Sequence, residues 1–333
     1  MPIGQLAHVL RDIATTDSRV LVGPETFDDA GIVSLAGVGD VSPDSRTCLV
    51  QTVDYFPPVV DDPYWYGAIA AANSLSDVYA MGGKPFSALN LAGIPKDFDP
   101  EWTREIFRGG FETVRKSGAV VVGGHTVQSA EALFGFAITG IVSRDAVAAN
   151  SGAQVGDLLY LTKSLGMGAM TTAAKKKRIE WSQLEPAARQ MAKLNDLAAE
   201  AMLLARPHAA TDVTGFGLAG HARNIAKASG VTLRIQLAAV PLFAGVHELA
   251  RDGFCSGGSN RSKAALAEVV GLADGLDAAR VALAFDAETS GGLLIAVPES
   301  RASVLERELH ARGELVCCVG SVVGSTGRYV EFI

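Results

Sequence analysis

Asp62-Pro63-Tyr64-Trp65-Tyr66-Gly67-Ala68-Ile69-Ala70-Ala71-Ala72-Asn73-Ser74-Leu75-Ser76-Asp77-Val78-Tyr79-Ala80-Met81-Gly82-Gly83-Lys84-Pro85 carries both ends of one helix. Asp62 suits the N-cap, and Pro63 suits the first helical position, where a missing N–H costs nothing. Trp65, Ala68, Ile69, Ala72, Leu75 and Tyr79 recur at helical spacing, and Gly82-Gly83 with Pro85 beyond ends the run. Asn73 and Asp77 stand one turn apart, so an amide and a carboxylate share a face of an otherwise apolar helix. Small neighbours, Ala70-Ala71-Ala72 and Ser74, leave room for another element or a ligand to come close. Two readings stand: the polar pair caps a buried contact, or it lines a site.

The same grammar recurs around this helix. Asp99-Pro100 opens a second one, lined by Trp102, Ile106 and Val114 and ended by Gly118. Its internal Gly109-Gly110 would cost about 1 kcal/mol each relative to Ala, the mark of close backbone packing. Ile3 to Ile13 reads as an opening helix, and Gly31–Leu35, Thr47–Val53, Val120–Val122 and Leu133–Val142 read as strands. The polar, glycine-containing stretch Asn150–Gly156 marks a domain boundary, dividing the chain into residues 1–150 and 151–333. Beyond it lie strands at Asp157–Thr162, Val231–Leu237, Leu293–Val297 and Leu315–Val323. Helices are expected near Pro186–Leu204, Leu218–Ala228 and Lys263–Ala273. No solenoid period is visible, so the fold class is α/β (α+β), with two mixed domains.

Composition narrows the function. Of 333 residues, 48% are hydrophobic and 20% charged, enough for large cores and too little charge for long disorder. A net charge of −7 argues against a nucleic-acid partner but not against a nucleotide, because a divalent cation reverses the local field. No apolar run reaches a membrane span, and Met1-Pro2-Ile3-Gly4-Gln5 has no basic region followed by an apolar one, so a cytoplasmic protein is expected. Cys48, Cys255, Cys317 and Cys318 form no Cys-x-x-Cys pair and read as structural thiols of a reducing compartment.

Four aspartates sit in small-residue or glycine-punctuated stretches: Asp29 in Glu25-Thr26-Phe27-Asp28-Asp29-Ala30, Asp54 closing Val50–Asp54, Asp77, and Asp212 opening Asp212-Val213-Thr214-Gly215-Phe216-Gly217. Hard carboxylate oxygens suit Mg²⁺ carrying a polyphosphate, and the glycines let backbone N–H groups approach phosphate. Asp54, ending a strand, is placed at a sheet rim. Asp212 precedes Thr214–His221, a glycine loop feeding a helix N-terminus and so a ready anion site. One of Asp28 and Asp29 reads as a solvated or turn residue. Gly123-Gly124-His125-Thr126 reads as a strand-to-loop corner that touches a ligand, while Thr289-Ser290-Gly291-Gly292 could hold a phosphate or simply turn the chain. Lys175-Lys176-Lys177-Arg178 reads as a solvated helix end. With no Gly-x-x-x-x-Gly-Lys-Ser/Thr segment, a P-loop is excluded. The motifs point to an ATP-using enzyme.

Taken together, Asn73–Pro85, Thr211–Leu218 and Glu288-Thr289-Ser290-Gly291-Gly292-Leu293-Leu294 resemble those of the selenophosphate synthetases (selenide, water dikinases) over nearly the whole chain. That family lies in the aminoimidazole ribonucleotide synthetase-like ATP-binding superfamily. The resemblance implies two α/β domains, the first pairing with its twin in a homodimer with ATP near the subunit interface. It implies Asp29, Asp54, Asp77 and Asp212 as metal-holding carboxylates for Mg²⁺. Thr26, Phe27, Asp28 and Asp54, with Gly124, His125 and Thr126, would line the nucleotide. The family reaction turns ATP, selenide and water into selenophosphate, orthophosphate and AMP. Family members also carry a cysteine or selenocysteine and a lysine before the first helix. Here no cysteine precedes Cys48 and no lysine precedes Lys84, so that pair is expected to be missing, with Arg261 and Lys163 as remaining basic groups. Two rivals follow: another kinase or synthetase of the superfamily, and a nucleotide-binding, non-catalytic relative.

Overall fold

The computed structural model describes residues 17–24 and 27–333; the expected opening helix and Thr26 lie outside the described residues. The first sheet contains β1 (Val20–Val22), β2 (Gly31–Ser34), β3 (Thr47–Phe56), β4 (Lys84–Ile94), β5 (Val120–Gln128) and β6 (Leu133–Ser143), in the order β1-β2-β3-β6-β4-β5. Only β4 and β5 run parallel within it, because helix α2 (Pro100–Lys116) crosses over between them. Helix α1 (Pro63–Ala80) begins as its sequence dictates, with the Asp62 carboxylate accepting from the Trp65 N–H at 3.0 Å. Tyr66 through Ala80 are all buried, so α1 is covered on every side.

The second sheet contains β7 (Leu158–Leu161), β8 (Ala209–Asp212), β9 (Thr232–Ile235), β10 (Val270–Leu272), β11 (Leu293–Val297), β12 (Cys317–Val323) and β13 (Val330–Phe332), in the order β10-β13-β9-β12-β7-β11-β8. Around it pack α3 (Met167–Lys175), α4 (Trp181–Met191), α5 (Asp196–Ala205), α6 (Gly217–Ser229), α7 (Val246–Arg251), α8 (Ser259–Leu266), α9 (Ala278–Ala284) and α10 (Glu299–Ala311). Side chains alternate across this sheet. Leu293, Ile295 and Val297 join the core that also holds Ile69, Leu75 and Phe136, whereas Leu294 and Ala296 join a second core with Leu233 and Phe332. One apolar core therefore passes through α1 from the first sheet to the second.

Several elements differ from the sequence reading. The strand expected to end at Val53 runs on to Phe56, because Asp54-Tyr55-Phe56 pair in full with Phe134-Gly135-Phe136. Asp54 is therefore inside a strand, not at its rim. The run expected to stop at Val122 continues to Gln128, with a bulge beside Leu89 absorbing the register change. The long helix expected near Pro186–Leu204 is two, broken between Met191 and Asp196, and Pro186 lies inside the first. The Lys263–Ala273 segment divides into α8 and the short strand β10.

Glycine decides how closely α1 and α2 approach. A Cβ on Gly67 would overlap the Ile106 carbonyl oxygen, and one on Gly109 would overlap that of Tyr64. Gly109→Ala should destabilise the protein by about 3 kcal/mol, because the obstruction is backbone that cannot rotate away. Urea denaturation of the two proteins checks this; an unchanged midpoint would mean the helices can separate freely.

Candidate metal and nucleotide site

The four aspartates meet where α1 lies between the two sheets. Asp54 projects from β3, Asp77 from α1, Asp212 ends β8, and Asp29 comes from the turn before β2. Each receives a neutral donor. Thr52 Oγ1 donates to Asp77 at 2.5 Å, Asn73 Nδ2 to Asp54 at 2.8 Å, Ser76 Oγ to Asp212 at 2.5 Å, and Thr211 Oγ1 to Asp29 at 2.7 Å. These donors do not offset the cost of crowding like charges out of water. Burial, then the nearby Asp212 charge, raises Asp54 to about 7. Burial raises Asp212 to about 6, while burial and the neighbouring carboxylates push Asp29 and Asp77 well above the usual carboxylate range. One oxygen of Asp29, Oδ2, is buried with no hydrogen-bond partner. Four converging, mutually repelling carboxylates with an orphaned oxygen fit hard divalent cations.

Among the described residues, Asp29, Asp212 and His221 bring three possible ligand atoms mutually within 4.8 Å. His221 Nε2 accepts the Thr214 N–H at 3.1 Å, and Nδ1 lies 3.3 Å from Thr211 Oγ1. Burial lowers His221 to about 4, so the ring is neutral. The imidazole thus steadies Thr211, which holds Asp29, and offers no spare lone pair to a metal. Sequence reasoning met His221 only as the end of a glycine loop, since its partners could not be read from spacing.

The remaining candidates divide into two groups. Phe27 adopts a left-handed conformation (φ 54°), and Asn150 fastens the turn there: its N–H donates to Asp28 Oδ1 at 2.6 Å and its Nδ2 to the Phe27 carbonyl at 2.9 Å. Asp28 is the turn-holding member of its pair and Asp29 the inward one. Gly124, His125 and Thr126 are exposed on β5, which is a continuous strand and not the expected loop corner. Register places Asp54, Phe136, Asn90 and Gly124 in one row across the sheet. Three strand spacings separate Gly124 from Asp54, about 14 Å. Within one chain these residues therefore stand apart from the carboxylates. Gly124 is required for strand pairing itself, since a Cβ there would overlap the Asn90 carbonyl.

The Thr289–Gly292 turn docks on α1. The Ser290 N–H donates to Asn73 Oδ1 at 2.8 Å, and Ser290 takes a left-handed φ of 49°. Lys163, fully buried, donates from Nζ to the carbonyls of Lys193 at 2.7 Å and Ser290 at 2.9 Å, and burial lowers it to about 7. Lys175, Lys176 and Lys177 are exposed, as a solvated helix end requires.

A carboxyl with a folded pKa above its unfolded value binds more protons when folded, so stability is lost as pH rises between the two values. For Asp54 and Asp212 the interval runs from 3.8 to about 7 and about 6. Raised Asp286 and Glu288 have the same sign, and His221, lowered from 6.5 to about 4, opposes them. The metal-free protein should therefore melt at least about 5 °C lower at pH 7.5 than at pH 5, and saturating Mg²⁺ should remove most of the difference at pH 7.5. Scanning calorimetry with and without chelator measures both; a flat profile would contradict the clustering of charge.

Residues 27–142 match the AIR synthase related protein N-terminal domain, and residues 154–332 the corresponding C-terminal domain. The chain is 42% identical over 318 residues to selenide, water dikinase 2 of Peptoclostridium acidaminophilum, covering 95% of this chain and 89% of that protein. It is 44% identical over 308 residues to the selenide, water dikinase of Geobacter metallireducens, covering 92% and 87%. Among solved structures, AaThiL complexed with AMPPCP and TMP superposes with a TM-score of 0.72 at 19% identity, covering 99% of this chain and 93% of that one. That likeness shows a common fold.

Proposed function

The chain belongs to the selenide, water dikinase family, and we propose that it converts ATP, selenide and water into selenophosphate, orthophosphate and AMP. The observation that carries this reading is the convergence of Asp29, Asp54, Asp77 and Asp212 from both domains on one point, with Asp77 and Asp212 buried and Asp29 and Asp54 half-buried. In it, these four residues hold Mg²⁺, which when bound would neutralise phosphate charge and polarise the phosphoryl oxygens. Breaking two phosphoanhydride bonds calls for several carboxylates, and catalysis of this kind rests on positioning and charge stabilisation.

The chain's own groups supply the positioning. Thr52, Asn73, Ser76 and Thr211 each donate to one carboxylate, so all four are oriented before a ligand arrives. Beside Asp212, at the start of α6, Gly215 is exposed between half-buried Thr214 and Phe216; with the Thr214 N–H held by His221, the Gly215 and Phe216 N–H groups can take phosphate. Phe27 and Asp28, with Thr26, flank the nucleotide in this reading.

We assign Gly124, His125 and Thr126 to the nucleotide across a dimer interface. Among the described residues, the face of the first sheet turned away from α1 exposes Val53, Tyr55, Leu89, Val127 and Ile141, a set of apolar side chains that a second copy would cover. Tyr55, Gly135, Leu91 and His125 form one row across this face, which places His125 in the surface that a partner would meet. Leu89→Lys should convert a dimer to a monomer in sedimentation and weaken ATP binding with it. A dimer that survives the charge would move the interface elsewhere. Free Cys48, Cys255, Cys317 and Cys318 suit a cytoplasmic enzyme, and among the described residues no helix is long and apolar enough to cross a membrane.

Phosphorus NMR with Mg-ATP and selenide under anaerobic conditions tests the reaction. Selenophosphate and AMP are expected; ATP binding without AMP favours a non-catalytic relative, and turnover of thiamine monophosphate favours another kinase of the superfamily. Asp77→Asn should lower turnover by about 10²-fold while raising the melting temperature of the metal-free protein, because it removes a repelled buried charge. A large loss of melting temperature would instead make Asp77 a structural group.

A further inference from the structure

The geometry points to Asn195 as a positioning residue that orients the Asp212 carboxylate through Ser76, and this inference rests on the reading of Asp212 as a metal ligand. Asn195 occupies the N-cap of α5, yet its side chain makes no capping bond to that helix. An asparagine there ordinarily accepts a backbone N–H of the first turn. Both of its amide hydrogens are directed elsewhere, one to Ser76 Oγ at 2.9 Å and one to the Gly291 carbonyl at 2.8 Å. The amide cannot be the other way round, because the Gly291 carbonyl has no hydrogen to donate to an amide oxygen. Asn195 is only 2% exposed, so water does not supply a substitute.

This fixes the direction of a hydroxyl. A serine inside a helix can turn its O–H back to the carbonyl four residues earlier, and Ser74 on the same helix has that carbonyl, Ala70 O, in reach at 2.9 Å beside Asp54 O at 3.0 Å. Ser76 does not. Its oxygen accepts from Asn195 and its hydrogen goes to Asp212 Oδ2 at 2.5 Å. The series Gly291, Asn195, Ser76, Asp212 therefore joins a turn of the second domain, a helix of the first and a carboxylate of the second. Asp212 holds its orientation only while the Ser290–Gly291 turn is seated on α1.

The test is the affinity of the full chain for Mn²⁺, read from the free-ion EPR signal in the presence of a non-hydrolysable ATP analogue. Asn195→Leu and Ser76→Ala should each weaken binding about tenfold, the low end of what removing a partner of a metal ligand costs. The double variant should also lose about tenfold, since both changes release the same bond. Losses that multiply to about a hundredfold, or unchanged affinity in Asn195→Leu, would overturn the role of Asn195. Asn195→Ser, which keeps an N-cap residue but cannot span both partners, gives the same comparison if the leucine variant does not fold. Asp212→Asn separates the two levels: unchanged Mn²⁺ binding there refutes the metal assignment itself. Lost binding there with normal binding in Asn195→Leu refutes only the relay.

Discussion

Four carboxylates crowded together between the two sheets, two of them buried, are the constraint on which the rest of the molecule depends. Left alone they would take up protons or water, and the fold prevents neither by pairing them with cations. It surrounds each with a hydroxyl or amide from a neighbouring element, and this explains the unusual content of α1. A helix buried on every side would ordinarily be apolar throughout. Here Asn73, Ser76 and Asp77 occupy its buried surface because they meet partners on both sides: Asn73 meets Asp54 and Ser290, Ser76 meets Asp212, and Asp77 meets Thr52. The close approach of α2 through Gly67 and Gly109 holds the same helix from outside.

What the sequence disclosed follows the range of each interaction. Helix α1 was legible because its caps, its period and its stop lie within the 24 residues from Asp62 to Pro85. The pairing of Asn73 with Asp77 on one face was equally local. Asp54 was legible as a candidate but not its place in the strand: nothing in Asp54-Tyr55-Phe56 reveals that Phe134-Gly135-Phe136 will extend the strand past it. The valine run before Gly123 looked finished for a similar reason, since only the parallel ladder to β4 and its bulge carry a glycine pair through a strand. His221, Thr211 and Asn195 escaped notice because their importance lies in partners brought together by the fold. Asn195 and Ser76 are 119 positions apart. Nothing in the composition of either half discloses the single core that passes through α1.

The first sheet also shows how one strand pattern can serve two interfaces. Along β3, Cys48 and Val50 turn to the helices and are fully buried, while Val53 and Tyr55 on the other face are each 55% exposed. Asp54 stands between these last two and faces the helices, so the row that carries the carboxylate and the row that carries the apolar surface are neighbours on one strand. Any copy of the chain seated on the outer face would lie one sheet thickness from the carboxylates. The exposed β5 edge would form part of the same boundary.

The passage of one core through α1 has a kinematic consequence. A two-domain enzyme often admits its ligands by swinging the domains apart, but here such a swing would tear Ile69 and Leu75 from Ile295 and separate Asp54 and Asp77 from Asp212. The two halves share buried contacts that such a swing would have to break. A ligand that reached Asp54, Asp77 and Asp212 with this core intact would have to pass their margin, where Gly215 is exposed, and not through an opening between the sheets.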